Sequence, residues 1–224
     1  FRAANVGFSR NHDANGAGAY GEHVVDISVI FPDFDKDPYD PASYDFVLTD
    51  RYVKSIQDAG VEVFYRLGQS IENQPLKKYN IYPPKDNKKW AVIAEHIIRH
   101  YNEGWADGFN LNIKYWEIWN EPDMVNSNGV SSTWGGTREL FLDFYEVSAK
   151  HLKGCFPHLK IGGPALSDSM SFGELFLKEM QDELVKLNCE KKLDDIILEA
   201  YALDKAELSK LNETVGVPVI DITG

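Results

Sequence analysis

Apolar positions along the chain alternate between short runs with a period of two and longer stretches with a period near 3.6. The short runs are Val6–Ser9, Val61–Leu67, Ile113–Trp119, Leu159–Ile161, Asp195–Tyr201 and Val217–Ile222. They are rich in β-branched and aromatic residues and bounded by Gly, Pro, Asn or Asp, which predicts strands. Helices are predicted over Phe46–Ala59, Trp90–Tyr101, Thr137–Lys153 and Gly173–Leu187, with a short, weaker one over Asp204–Leu211. In the second of these, Ile93, Ala94, Ile97, Ile98 and Tyr101 recur at i, i+3, i+4 spacing. Thr137 is placed to cap the third, and Gly154 to stop it. Strand–helix–strand repetition means a parallel sheet with helices outside it, either a doubly wound open sheet or a (β/α)8 barrel. Two long, polar, Pro-rich connections, Asp33–Tyr44 and Asn73–Lys89, lie between strand-side segments and helices, where barrels keep function. With no linker, repeat or composition shift, residues 1–224 read as one domain.

Composition narrows the choice of partner. Thirty-five acidic against 23 basic residues give a net charge of −12. Such a surface repels phosphate backbones and anionic membranes, and no apolar run is long enough to span a bilayer. Nucleic acid and membrane are therefore not expected as partners. Two cysteines are too few for a disulfide framework. The compartment stays open, with the cytoplasm favoured over secretion; the sequon Asn212-Glu213-Thr214 is a triplet expected by chance. Oligomeric state is not legible.

Several motifs carry possible chemistry. Gly16-Ala17-Gly18-Ala19-Tyr20-Gly21 matches GxGxxG, but a dinucleotide site needs that motif to open a helix. Here Glu22 to Phe31 reads as extended chain ending at Pro32, so the glycines read as a flexible loop. His96 and His100 stand at i, i+4 on a helix, yet no Glu lies in that turn where a zinc protease needs its base. They read as ordinary helix histidines, and no metal is expected. The strongest signal is Tyr115-Trp116-Glu117-Ile118-Trp119-Asn120-Glu121-Pro122-Asp123. Strict alternation would put Glu117, Trp119 and Glu121 on one face and Trp116, Ile118 and Asn120 on the other. Pro122 ends the ladder, leaving Glu121 at the carboxyl end of a strand, where both candidate folds bind ligands. Asn120 is a natural partner for a hydroxyl. The indoles suit sugar faces and favour a protonated carboxyl by excluding water. The plainer reading of Glu121 is an edge acid paired with an Arg.

This stretch resembles the Trp-Asn-Glu-Pro signature of retaining glycoside hydrolases with (β/α)8 barrels, and more closely glycoside hydrolase family 39, the β-xylosidase and iduronidase family. Arg10-Asn11-His12-Asp13 is similar to the segment after that family's second strand, Phe64-Tyr65-Arg66-Leu67-Gly68 to its third, and Lys160-Ile161-Gly162-Gly163-Pro164-Ala165 to its fifth. The resemblance implies a TIM barrel with strands two to seven represented, hence incomplete or truncated. It implies Glu121 as general acid/base, Asn120 on the sugar 2-hydroxyl, and His12 and Asp13 lining the pocket. The implied mechanism is two-step displacement, with a second carboxylate about 5–5.5 Å away attacking the anomeric carbon. In the family that nucleophile is a Glu at the end of strand seven.

Residues 190–224 depart from the pattern. Glu199 falls where the family has His, and the last strand-like run holds Asp221 but no Glu. The nucleophile is expected beyond Gly224, with Glu199 and Asp221 as alternatives. Trp119, Trp134 and Tyr201 are the remaining substrate-binding candidates, Trp134 being equally readable as a loop anchor. The sequence thus points to a retaining O-glycosyl hydrolase of β-linked, xyloside-like sugars, needing no cofactor because two carboxylates suffice. The alternative from another class is a non-catalytic carbohydrate-binding barrel or inactive homologue, and an oxidoreductase using the glycine loop is the third.

Overall fold

The computed structural model describes residues 6–12, 14, 23–69, 81–124, 131 and 133–167, and the backbone of 196–198 and 219–221. Six strands form where the period-two runs predict them. They are β1 (Phe8–Arg10), β2 (Glu62–Leu67), β3 (Tyr115–Ile118), β4 (Lys160–Gly162), β5 (Ile196–Leu198) and β6 (Val219–Asp221). The first four make one parallel sheet in the order β1-β2-β3-β4, and β5 pairs with β6, also in parallel. The helices are α1 (Ile27–Ile30), α2 (Val47–Asp58), α3 (Asn87–Glu103) and α4 (Arg138–Cys155). The helices predicted over Gly173–Leu187 and Asp204–Leu211, and the loop containing Gly16 to Gly21, lie outside the described residues.

Local chemistry sets the helix ends. The Asp86 carboxylate accepts from the backbone N–H groups of Lys88 and Lys89, so α3 begins three residues before the apolar periodicity does. Gly104 closes it with φ 74°. Thr137 accepts from Leu140 N–H and starts α4 as predicted. That helix runs through Gly154 rather than stopping at it, because Phe156 N–H still bonds Leu152 C=O. The expected extended chain over 22–31 is corrected. Its β-branched residues favour a strand, but Asp26 C=O accepts from Val29 and Ile30 N–H, and Ile27 N–H is taken by Gly68 C=O at the end of β2. These tertiary bonds turn Ile27–Ile30 into one helical turn.

Register divides the sheet into two unlike faces. Val63, Tyr65, Leu67, Trp116, Ile118 and Ile161 are buried against the helices. Tyr65 meets Tyr101 of α3 at 5.5 Å between ring centroids, and α3 and α4 meet through Trp90 and Phe144 at 4.6 Å. Asp50 joins α2 to the same layer by bonding His100 and Tyr101. On the opposite face Arg10, Arg66 and Glu117 follow one another across β1, β2 and β3, Arg66 and Glu117 being register partners. Helices on one face and buried charge on the other is the division of a barrel wall; a doubly wound sheet carries helices on both faces.

Gly163, just after β4, has φ 107°, and a Cβ there would lie 2.7 Å from Ile118 O and 3.0 Å from Ile118 N. Backbone cannot yield as a side chain can. Gly163→Ala is expected to cost about 3 kcal/mol in urea unfolding. Gly154→Ala, inside α4 with nothing within 4 Å, is expected to gain about 0.5–1 kcal/mol. Equal effects at the two positions would contradict this account of the β4 end.

Candidate active site

The site is built where β1, β2 and β3 end. Arg10 closes β1 and reaches over β2 to β3. Its Nε donates to Glu117 Oε2 at 2.8 Å, Nη2 stands 2.7 Å from the same oxygen, and Nη2 donates to Asn120 Oδ1 at 2.7 Å. Glu117 and Asn120 are wholly buried. Alternation had put these two on opposite faces of β3. The correction lies at Trp119, whose φ is 74°. A left-handed residue reverses the pleat, so Asn120 joins the polar face and Trp119 is thrown to the helix side. Regular strand geometry therefore ends at Ile118, before Pro122 is reached.

Trp119 consequently lies 1% exposed among Trp90, Trp134 and Phe144, its Nε1 donating to Thr133 C=O at 2.9 Å. Trp134 is 3% exposed and its Nε1 donates to Thr137 C=O at 2.9 Å. Neither indole offers a face to a sugar. The reading of both as substrate platforms is corrected to core packing, in line with the loop-anchor alternative for Trp134. Gly68 makes room for Trp119, since a Cβ there would stand 2.9 Å from its ring.

Glu121 also has positive φ, 42°, and is 7% exposed. Its backbone is clamped from three sides. Its N–H donates to Ala165 C=O at 2.7 Å, and its C=O accepts from Met124 N–H and from the Thr133 hydroxyl. Asp123 ties the same turn to the end of β4 by accepting from Ser167 N–H at 3.0 Å and its hydroxyl at 3.3 Å. The carboxyl-bearing residue is thus held by main-chain bonds on both sides.

A second buried charge pair adjoins the first. Arg66 of β2 donates to Asp26 Oδ1 at 2.8 Å, and its backbone N–H donates to Asn11 Oδ1 at 2.5 Å. Among the described residues, the amide nitrogens of Asn11, Gln69 and Asn120 are buried without a hydrogen-bond partner. These three follow β1, β2 and β3 by one or two residues, so unspent donors gather at one end of three adjacent strands. His12 stands beside Arg10 and Arg66. Burial, then the two guanidinium groups and His23, push its pKa down from 6.5 to about 3, so its imidazole is neutral near pH 7. Asp13, Glu199 and Tyr201 lie outside the described residues; Asp221 is the last residue of β6.

The roles of Arg10 and Glu117 were not read from the sequence. The available signal was a charged residue inside each of two apolar strands, Arg66 and Glu117, which only pairing or use makes tolerable. The histidine pair on α3 behaves as ordinary helix residues. His100 bridges Trp105 C=O and the Asp50 carboxylate, and His96 bonds Val92 C=O.

The profile of glycosyl hydrolases family 39 matches residues 20–214. The chain belongs to that family. It is 30% identical over 133 residues to a Beta-xylosidase of Geobacillus stearothermophilus, covering 55% of this chain and 25% of that protein. A Beta-xylosidase of Caldicellulosiruptor saccharolyticus is 31% identical over 88 residues, 39% of this chain and 17% of that one. Among solved structures, a glucosidase from Croceicoccus marinus superposes with a TM-score of 0.72 at 24% identity, covering 98% of this chain and 45% of that one. A monomeric beta-xylosidase from Caulobacter crescentus gives 0.57 at 19% identity, covering 79% and 40%. The fold is a partial (β/α)8 barrel, and the chain spans a quarter or less of the curated relatives named here.

The depressed His12 pKa has a definite sign. The folded state takes up fewer protons than the unfolded chain between pH 6.5 and about 3. The contribution of neutral His12 is complete above pH 6.5 and is lost as pH falls through that window. The His12 Cε1 proton resonance is expected to keep its neutral position down to about pH 4, with His12→Asn flattening the acid loss of stability. Titration of His12 near 6.5 would contradict the placement between Arg10 and Arg66.

Proposed function

We propose that this chain is a retaining glycoside hydrolase acting on β-linked, xyloside-like sugars, with Glu121 as its general acid/base. The observation that carries the reading is Glu121, held at the end of β3 beside an Asn120 whose Oδ1 is fixed by Arg10 and whose Nδ2 is unspent. An amide whose oxygen is held by a guanidinium offers its unspent N–H groups as donors, suited to a sugar hydroxyl. The unspent amides of Asn11 and Gln69 support a polyhydroxylated ligand in the same way. Family membership and the two relatives named Beta-xylosidase support the substrate class.

In this reading Glu121 gives its proton to the leaving oxygen as a second carboxylate bonds the anomeric carbon. Glu121 then takes a proton from water, whose oxygen displaces that carboxylate and releases the sugar. His12, uncharged, contributes a hydrogen-bonding group without adding to the positive field of the two arginines, and Asp13 is proposed to line the pocket with it. Tyr201 is proposed as a further substrate-binding residue. Asp221, at the end of β6, and Glu199 are the chain's own candidates for the second carboxylate; neither side chain is described.

The test is hydrolysis of aryl β-xylosides by this chain and by Glu121→Ala, with and without azide. General acid/base catalysis supplies roughly 10²–10⁴-fold. Loss of that size, restored by azide acting in place of base-activated water, is the expected result. Measurable sugar affinity without turnover by the parent chain would sink the enzymatic reading and leave the binding one.

A further inference from the structure

Away from the strand ends, α3 and α4 bring together three side chains with no part in the proposed chemistry. Glu95 projects from the middle of α3. His151 and Cys155 lie one turn apart on the last turns of α4 and so share a face. His151 Nε2 is 2.6 Å from Glu95 Oε2, Cys155 Sγ is 3.8 Å from His151 Nε2, and the three ligand atoms all lie within 4.8 Å of one another. His151 and Cys155 are partly exposed and Glu95 is 9% exposed beneath them, so an ion reaches the cluster from the His151 and Cys155 side.

We infer that Glu95, His151 and Cys155 form a zinc-type divalent-metal site that clips α3 to α4. Zinc takes sulfur at about 2.3 Å and nitrogen or oxygen at about 2.0–2.2 Å in a tetrahedron, which sets its donors roughly 3.3–3.6 Å apart. The present separations bracket that range. The imidazole and carboxylate need to part by less than an ångström, and the thiol to close by a few tenths toward His151 and by at most about 1.2 Å toward Glu95. Both adjustments are side-chain rotations on surface-facing turns.

The surroundings suit this use. Arg99 Nε donates to Glu95 Oε1 at 2.7 Å, which orients the carboxylate and leaves Oε2 toward His151. The Arg99 charge is shared with Glu103, one turn further along α3, so the guanidinium does not stand unopposed beside the site. The donor set mixes thiolate, imidazole and carboxylate, which favours zinc over magnesium or calcium. Binding exchanges the Glu95–His151 hydrogen bond for two coordinate bonds; the Nε2 proton of that bond passes by way of water to Nδ1, and the Cys155 thiol proton goes to water. A water would complete the tetrahedron. The last turns of α4 lead into the start of β4, the end of the barrel opposite Glu121, where stability is the expected role.

The test uses the chain after treatment with chelator. Titration with Co(II) is expected to give a thiolate-to-cobalt charge-transfer band saturating at one equivalent, displaced by Zn(II). Zn(II) is expected to raise the thermal midpoint. Cys155→Ser should abolish the band, and His151→Gln should weaken binding about a hundredfold or more, given that disturbing an outer-shell partner alone costs 10–100-fold. Cys189→Ser, which removes the other cysteine, should leave the band intact. Absence of the band from the parent chain would overturn the inference whatever the variants do. So would a band lost in Cys189→Ser and kept in Cys155→Ser, or a thermal midpoint indifferent to zinc. None of these readouts depends on Glu121 or on glycosidase activity.

Discussion

The Arg10 guanidinium is the contact on which the strand ends depend. It leaves the last residue of β1, crosses β2, and bonds both Glu117 and Asn120 of the β3 segment. Adjacent strands lie about 4.8 Å apart, so only a side chain of this length joins strands two places apart. Burying a charge costs several kcal/mol unless its partner and remaining donors are satisfied. Here one guanidinium meets a carboxylate and an amide oxygen at three hydrogen-bonding distances below 3 Å. That compensation holds only if Asn120 is on the polar face.

Asn120 reaches that face because Trp119 adopts a left-handed backbone. For a residue other than Gly this costs on the order of 1–2 kcal/mol, and the aromatic cluster around its indole offsets it. Trp119 and Arg10 are therefore two ends of one device. The indole anchors the chain on the helix side, the guanidinium anchors Asn120 on the other, and Glu121 is the next residue out. A glycine at 68 and another at 163 let the neighbouring strands come close enough for both anchors to engage.

Much of this was legible from the chain. The six strands and the three long described helices followed from periodicity, which left an open sheet and a barrel in competition; the barrel class and the family came from the resemblance of short motifs, in their order, to glycoside hydrolase family 39. What was not legible has a common physical cause. Alternation assumes an unbroken pleat, and nothing in a tryptophan announces positive φ, so Glu117 and Asn120 were set on opposite faces. The same assumption favoured Trp119 as a sugar platform, while Trp134, a loop residue, read equally as platform or anchor; burial and indole hydrogen bonds make both core. Ile27–Ile30 went wrong for a related reason: β-branched side chains speak for a strand, whereas long-range bonds to Gly68 and Arg66 decide the backbone. Glu121 stands out as a candidate because a carboxylate before a proline at a strand end is chemically conspicuous even with the local geometry misread; its role is the one proposed above.

A barrel wall of this kind separates stability from chemistry. The helix side holds the apolar core and the Glu95–His151–Cys155 cluster; the strand ends hold paired charges and unspent amide donors. The central claim is that Glu121 acts as a proton donor to the leaving oxygen. It is tested most directly by the leaving-group dependence of kcat/KM for the parent chain and Glu121→Gln across a series of β-xylosides. The account predicts a steep loss for poor, basic leaving groups and little loss for strongly activated aryl groups, which depart without protonation. A uniform loss across the series would contradict it.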